Sequence, residues 1–234
     1  MKIPKGIVFD LGGTLLKEGH FDIQAGRKRM FELAKNPRGV SFEEVCKLGD
    51  RLFERIQEQR NNGLIEAPFR CYNRMVNEAF GMRFSLSGKQ LELEFWKAAN
   101  FMEPIEGVES ALKKTKELAL PMGVISNCMF YGGVLKWELA VHHLLDYFDF
   151  TISSADYGFR KPHPALFLLA AGKLGCELSE VWFVGDSLEK DVQGARSVGM
   201  KTVWFNPGRT PAGPIAADAE FRHWSEFAQL LTAP

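Results

Sequence analysis

Three aspartates stand where a carboxylate could do chemistry in this chain. Asp10 directly follows the apolar run 7–9 and precedes Gly-Gly-Thr, Asp186 follows a second apolar run at 181–184, and Asp191 lies in the first turn of a predicted helix. In open α/β sheets, ligands bind beyond the carboxyl ends of the strands, where loops expose reactive side chains. An aspartate placed there can act as a nucleophile, and several together can hold a hard cation such as Mg²⁺.

Three further polar groups occupy comparable places. Ser126 and Asn127 follow an apolar run at 122–125, and Lys161 lies in GFRKPHP, before a helix predicted to begin at Pro164. Taken singly, a hydroxyl and an amide after a strand are more often part of a turn, and an isolated lysine is usually a solvated surface charge. Their shared placement, at strand ends and before the next helix, instead favours one site that includes the aspartates.

The elements that must position these groups alternate between strand and helix after residue 102. Apolar runs predict strands at 122–126, 150–153, 181–184 and 201–205, and helical patterns predict helices at 107–119, 131–145, 164–174 and in a segment ending near residue 199. Strands buried on both faces that alternate with helices are typical of a parallel, doubly wound α/β sheet. We expect the run at 7–9 to join this sheet, and the closing segment to add a short edge element and a helix.

Residues 21–101 show helical periodicity and no strand-like run. Two capping boxes mark helix starts, at Ser41 and at Ser87, because each serine is followed three residues later by Glu or Gln. Two more helices are predicted at about 21–34 and 69–80, and the segment 60–68 is interpreted as a polar connection.

This change of pattern predicts two domains. Residues 1–17 and 102–234 would form the α/β core, and residues 18–101 would form an inserted α-helical bundle. The insertion follows the first core strand. We therefore expect it to lie as a lid over the carboxyl edge of the sheet.

Composition excludes several classes of protein. The 234 residues are 46% hydrophobic, and 29 basic side chains balance 29 acidic ones, so no strong field favours nucleic acid or a membrane surface. No apolar stretch approaches the length of a membrane span. The four cysteines are widely spaced and form no CxxC pair, which argues against a disulfide framework or a zinc site and favours a reducing, cytoplasmic location. These patterns do not specify an oligomeric state.

The ordered set of groups resembles the haloacid dehalogenase (HAD) superfamily of phosphohydrolases, and the resemblance extends over essentially the whole chain. Four motifs occur in the family's order, namely the first strand and loop at 10–14, Ser126, Lys161, and the acidic pair Asp186 and Asp191 in GDSLEKD. The helical insertion between the first two motifs is similar to the family's cap of the first type (C1). The resemblance implies a Rossmann-like core and a phosphatase acting on a small phosphorylated metabolite.

The resemblance also implies residue roles. Asp10 would attack the phosphoryl group and form an aspartyl phosphate, while Ser126 and Asn127 would bind phosphoryl oxygens and Lys161 would neutralise charge. The resemblance implies that Asp10, the backbone carbonyl of Gly12 and Asp186 bind Mg²⁺. Asp191 would either bind the ion directly or accept a hydrogen bond from a group that does.

One position departs from the family pattern. Its phosphatases usually carry a second aspartate two residues after the nucleophile, which protonates the leaving group, and Gly12 stands there instead. Three interpretations follow: a phosphatase whose acid comes from elsewhere or whose leaving group needs none, a phosphonatase-like enzyme that uses a cap lysine, or a weakly active or inactive phosphate-binding member. A metal-free dehalogenase is disfavoured because GDSLEKD keeps both acids.

Several other residues could take part in these chemistries. Glu18 or His20 could supply the missing acid, although both could equally be solvated residues of the connection into the insertion. A Schiff-base lysine could be Lys28, Lys35 or Lys47, although exposed helix lysines are the rule. Three others are expected to be structural, buried or solvated rather than functional: Cys128, His142 and His143.

Overall fold

The strand that ends at Asp10 lies in the middle of the sheet. The computed structural model describes residues 2–231, apart from the side chains of Glu18 and Asn61. Its main sheet has six parallel strands, which in spatial order are β5 (Phe150–Ser153), β4 (Met122–Ser126), β1 (Gly6–Phe9), β6 (Val181–Gly185), β7 (Lys201–Phe205) and β8 (Ala219–Phe221). The four residues of β1 are buried. Helices cover both faces, so the predicted doubly wound α/β fold is confirmed.

The core elements follow the alternating pattern of the sequence. The sheet is built from β1 (Gly6–Phe9), β4 (Met122–Ser126), β5 (Phe150–Ser153), β6 (Val181–Gly185), β7 (Lys201–Phe205) and β8 (Ala219–Phe221). The core helices are α5 (Val108–Glu117), α6 (Gly132–Val141), α7 (Ser154–Tyr157), α8 (Pro164–Leu174), α9 (Gly194–Ser197) and α10 (Trp224–Leu230), with 3₁₀ turns at Leu145–Tyr147 and Leu178–Glu180 and a π-helical turn at Leu188–Gln193. The closing edge strand and helix are as predicted.

Alternate side chains of β1 divide the core in two. Ile7 and Phe9 pack into a cluster with α5, α6 and α10, whereas Val8 packs into a second cluster with α8 and α9. Successive side chains of a strand point to opposite faces of the sheet, so this arrangement requires apolar residues at every position. The continuous apolar run in the sequence follows from that requirement.

The strand register brings the chemical groups to one edge. Phe9 pairs with Val124 of β4 and with Val184 of β6. Because all three strands are parallel, their carboxyl ends are level, and the residues that follow each strand lie side by side. This is why Asp10, Ser126 and Asp186, far apart in sequence, meet.

The insertion contains the four predicted helices. They are α1 (Ile23–Leu33), α2 (Phe42–Gly63), α3 (Phe69–Phe80) and α4 (Gly88–Ala99). Both predicted capping boxes are present, at Ser41 and Ser87. The predicted connection at 60–68 is wrong in its first four residues, because α2 continues to Gly63 and ends with Leu64 in the left-handed conformation.

Two short strands were missed by the sequence analysis. β2 (Leu16–Phe21) and β3 (Asn100–Pro104) pair antiparallel and form a two-stranded ribbon where the chain enters and leaves the helical insertion. Their sequences are mixed polar and apolar and carry no clear period, because each strand is stabilised by pairing with the other rather than by a buried face. A side chain at Gly19 would meet the backbone carbonyl oxygen of Phe101 at 2.3 Å, so the ribbon needs a glycine there.

A core aromatic side chain inserts into the helical layer. Phe130 stacks on Phe69 with ring centroids 4.7 Å apart and meets the edge of Trp96 at 5.0 Å. Close by, the Phe69 backbone N–H donates to the carbonyl oxygen of Met129 at 2.8 Å. One hydrophobic cluster therefore spans the insertion and the core. Within residues 2–231, no helix combines the length and apolarity needed to cross a bilayer.

Tight packing within the sheet gives a test of the fold. A Cβ on Gly123 would lie 2.1 Å from the Phe150 ring, whereas a Cβ on Gly172, exposed in α8, would meet nothing within 4 Å. We expect Gly123→Ala to lower the free energy of unfolding by about 1–3 kcal/mol through overpacking, and Gly172→Ala to raise it by about 0.5–1 kcal/mol through helix propensity. Urea unfolding measures both, and equal effects would contradict the packing described here.

Candidate active site

The structure brings to one cavity the seven residues to which the family resemblance gives roles. The cavity has a volume of about 230 Å³ and lies at the carboxyl edge of β1, β4 and β6. It is lined by Asp10, Gly12, Gly13, Ser126, Asn127, Lys161, Asp186, Ser187, Lys190 and Asp191. Ser187 and Lys190 also line the cavity but were not predicted as site residues. Both lie inside the acidic motif GDSLEKD, between Asp186 and Asp191, and that position is the signal that could have identified them.

A buried lysine joins two of the three aspartates. Lys161 Nζ lies 2.5 Å from Asp10 Oδ1 and 2.7 Å from Asp191 Oδ1, and it donates to the carbonyl oxygen of Ile125 at 3.2 Å. Burial by itself lowers the pKa of Lys161, but Asp10 and Asp191 outweigh it and raise that pKa above its ordinary value. The ammonium group is therefore a permanent charge in the site.

Asn127 holds the backbone of that lysine. Its Oδ1 accepts from the Lys161 backbone N–H at 2.7 Å, and its Nδ2 donates to the Lys161 carbonyl oxygen at 2.9 Å. Both polar atoms of the amide are thus engaged in fixing the loop that carries Lys161. The geometry adds a positioning role for Asn127 to the phosphate-binding role that the family resemblance implies.

The three aspartates form a compact group of oxygen atoms. Asp10, Asp186 and Asp191 each offer a carboxylate oxygen within 4.8 Å of the others. Burial raises the pKa of Asp191, to about 7, with Asp10 adding to the rise while Lys161 opposes it. Lys161 balances one negative charge, and the ionised carboxylate charge that remains attracts a cation.

The donor set fits a hard divalent cation. The approach of Lys161 to Asp191 Oδ1 is an ion pair without hydrogen-bond geometry, so this buried oxygen has no hydrogen-bond donor among the described residues. The other oxygen, Oδ2, accepts from the Ser187 backbone N–H at 3.0 Å, which fixes the carboxylate plane. Carboxylate oxygens of this kind are the ligands that Mg²⁺ prefers.

Thr14 orients the first aspartate. Its hydroxyl donates to Asp10 Oδ2 at 3.1 Å and lies 3.5 Å from Asp186 Oδ1. Together with Lys161 on Oδ1, this contact fixes both oxygens of Asp10. The sequence analysis included Thr14 in the first motif without giving it a role.

The glycine turn after Asp10 is required by the crowding of the site. Gly13 has a φ of +81°, and a Cβ there would lie 2.5 Å from Asp186 Oδ2. A side chain at this position would be strained and would displace the carboxylate. Gly185 has a similar role, since its Cβ would lie 2.5 Å from the Asp191 side chain.

A second cavity, which we call the interdomain cleft, adjoins the first. It has a volume of about 310 Å³ and shares Gly12, Ser126 and Asn127 with the aspartate cavity. Its remaining lining residues are Leu11, Gly19, Phe21, Phe53, Gln57, Arg60, Trp96, Asn100, Met102, Cys128, Met129, Phe130 and Leu135. Burial raises the pKa of the Cys128 thiol to about 12, so this cysteine is not a thiolate nucleophile.

The residues weighed as alternative catalytic groups lie elsewhere. His20 is exposed on β2 and lines neither cavity, and the side chain of Glu18 lies outside the described part of the chain. The three candidate lysines of the helical insertion, Lys28, Lys35 and Lys47, are exposed and line neither cavity. His142 follows the end of α6 and contacts Glu138 at 3.2 Å. Of these residues, none whose side chain the structure describes lines the aspartate cavity.

Comparison with known proteins agrees with this geometry. The sequence profile of the haloacid dehalogenase-like hydrolases matches residues 4–199. A glyceraldehyde 3-phosphate phosphatase of Pyrococcus abyssi is 27% identical over 219 residues, covering 88% of this chain and 82% of its own length. A ribulose-1,5-bisphosphate 5-phosphatase of Halopiger xanaduensis is 30% identical over 220 residues, covering 91% and 89%.

A solved structure extends the similarity to three dimensions. The crystal structure of a HAD phosphatase from Thermococcus onnurineus superimposes with a TM-score of 0.62, at 25% sequence identity and with 97% of each chain covered. The family profile and the relatives match most of the chain, and the structural similarity covers 97% of it. The chain therefore belongs to the haloacid dehalogenase-like hydrolase family.

Proposed function

We propose that this protein is a Mg²⁺-dependent phosphatase that hydrolyses a small phosphorylated metabolite through an aspartyl phosphate on Asp10. The observation that carries the proposal is the environment of Asp10, whose two oxygens are held by Lys161 and Thr14 beside two further carboxylates. The relatives named as phosphatases of glyceraldehyde 3-phosphate and ribulose bisphosphate support a substrate of this class. We place the enzyme in the cytoplasm, where its four free cysteines stay reduced.

Charge compensation is the central requirement of the proposed reaction. A carboxylate that attacks an anionic phosphoryl group must overcome repulsion, so positive charge and hydrogen-bond donors must surround the phosphoryl oxygens. In our proposal Asp10 is the nucleophile, Lys161 neutralises charge and the Ser126 hydroxyl donates to the phosphoryl group. Asn127 holds the Lys161 backbone in place. Formation and hydrolysis of the aspartyl phosphate then divide the reaction into two easier steps.

The proposed metal ligands are the three aspartates and one backbone carbonyl. Asp10, Asp186 and Asp191 would hold Mg²⁺ together with the carbonyl oxygen of Gly12. When bound, the ion supplies electrostatic stabilisation to the phosphoryl oxygens.

Because position 12 is a glycine, the proposed enzyme lacks a general acid there. Compared with the family's usual second aspartate, glycine supplies no proton to the leaving group, and general acid catalysis is worth about 10²- to 10⁴-fold. We therefore propose a phosphatase that favours good leaving groups or takes its proton from substrate or solvent. The helical insertion is assigned as a C1 cap, with domain boundaries inside the β2–β3 ribbon, at residues 17/18 and 101/102.

A phosphonatase is a weaker alternative. Its lysine would have to reach the substrate, whereas the candidate lysines are exposed and line neither cavity. A non-catalytic phosphate-binding member is the other alternative, and Gly12 is the observation in its favour. The retained ion pair of Asp10 with Lys161 instead favours catalysis.

Substitutions at Asp10 and Gly12 separate these functions. We expect Asp10→Asn to lower Mg²⁺-dependent release of phosphate from p-nitrophenyl phosphate by roughly 10³-fold or more, because the nucleophile is lost. Gly12→Asp should raise turnover of an alkyl phosphate by about 10²-fold by restoring an acid, whereas Gly12→Asn, with the same shape and no acidic proton, should not. Phosphate release that persists in Asp10→Asn would contradict the proposed nucleophile.

The Gly13 turn provides a test of the metal site. Gly13→Ala would place a methyl group against Asp186 on a strained backbone, so we expect the affinity for Mg²⁺ to fall by about tenfold or more. Gly208→Ala is the matched control, because its Cβ would meet only Thr210 Oγ1 at 3.8 Å. Competition between Mg²⁺ and Mn²⁺, followed by electron paramagnetic resonance, measures the affinity. An unchanged affinity in Gly13→Ala would rule out Asp186 as a ligand in the observed geometry.

A further inference from the structure

A buried arginine lies in the interdomain cleft. Arg60, in the last turn of α2, is 9% exposed and lines the cleft together with Gln57 from the preceding turn. Its Nε donates to Glu66 Oε1 at 2.6 Å, and its Nη1 donates to Gln57 Oε1 at 2.6 Å. These two bonds fix the plane of the guanidinium group against the wall of the cleft.

The charge of this arginine is only partly balanced. Glu66, whose side chain is fully buried, also accepts from Arg160 at 2.9 Å and from the Ser154 hydroxyl at 2.6 Å. One carboxylate thus serves two guanidinium groups, and the cluster keeps one net positive charge. Among the residues that line the cleft, none is acidic and Arg60 is the single charged side chain. A buried charge of this kind is costly unless something pairs with it.

The cleft is placed to receive the leaving group of a phosphate ester on Asp10. In phosphoryl transfer the attacking and leaving oxygens are roughly in line, so the leaving group points away from the nucleophile. Gly12, Ser126 and Asn127 line both cavities, so the space beyond the phosphoryl group continues into the cleft. Phe53 and Trp96 contribute apolar lining to the same cleft as Arg60.

We propose that the interdomain cleft is a subsite for phosphate monoesters that carry a second anionic group, a carboxylate or another phosphate, and that Arg60 binds this group. The inference rests on the proposed phosphatase function and specifies its substrate class. The guanidinium is held by Glu66 and Gln57 before any ligand arrives. Glu66 balances only one of the two positive charges on Arg60 and Arg160. The bound anion pairs with the positive charge that remains.

Three-carbon esters with similar leaving alcohols test the subsite. The probes are glycerol 3-phosphate, which has a neutral leaving group, 3-phosphoglycerate, which adds a carboxylate, and propane-1,3-diol bisphosphate, which adds a phosphate. We expect kcat/KM of the wild type to be at least about tenfold higher for one anionic ester than for glycerol 3-phosphate, since a charge-assisted hydrogen bond contributes about that factor. Comparison of the two anionic esters identifies which group is bound.

Substitution of Arg60 should remove this preference. Arg60→Met keeps the length of the side chain and leaves Glu66 paired with Arg160, so no buried carboxylate loses all its partners. We expect the ratio of kcat/KM, anionic over neutral ester, to fall by about 10- to 100-fold in Arg60→Met and by less in Arg60→Lys. Arg55→Met is the matched control, because Arg55 is 86% exposed on the same helix, and it should keep the wild-type ratio.

A direct binding measurement separates this inference from the proposed function. Neither 3-phosphonopropionate nor propylphosphonate is an ester, so neither is hydrolysed as one. The two differ in that only the first carries a carboxylate, so calorimetry measures what this group contributes to binding without turnover. Tighter binding of 3-phosphonopropionate by the wild type, lost in Arg60→Met, supports the subsite even if no ester is hydrolysed. Equal binding of the two phosphonates, or an equal loss for anionic and neutral esters in Arg60→Met, overturns it and leaves Arg60 a structural partner of Glu66.

Discussion

The ion pairs of Lys161 are the constraint on which the site depends. A fully buried ammonium group is stable only with close negative partners. Here Asp10, which follows β1, and Asp191, within the π-helical turn after β6, provide them. The same pairs require the aspartates to stay within reach of one another, against their mutual repulsion. The lysine therefore holds together a group of carboxylates that would otherwise move apart, and the parallel strands supply the rigid edge on which this is possible.

The sequence predicted those parts of the fold that depend on local pattern. Strands β4, β5 and β7 were predicted with their observed limits, since each carries a short run of apolar and β-branched residues that is mostly buried between the helix layers. The ribbon of β2 and β3 was missed because its strands pair with each other and bury no continuous face. The length of α2 was underestimated because its last turn, with the polar run RNNG, resembles a loop.

The residues that line the site were predicted from the sequence, but the hydrogen bonds between them were not. The seven residues follow from the order of the motifs, whereas the bond from Thr14 to Asp10 and the two bonds that tie Asn127 to Lys161 depend on distances across the fold. Arg60 is a stronger example, since in the sequence it is one arginine among several on an amphipathic helix. Its burial and its sharing of Glu66 with Arg160 become visible only when the helical insertion rests on the core.

The ribbon of β2 and β3 has an evolutionary consequence. The chain leaves and re-enters the core on adjacent hydrogen-bonded strands, whose backbones lie about 4.8 Å apart. The segment between β2 and β3 can therefore be replaced as one unit without altering the order of the six core strands. In our proposal, the chemistry at Asp10 and the selection of its substrate therefore lie on separable pieces of chain, provided that a replacement still covers the Phe130 ring. New specificity can arise by changing the inserted piece alone.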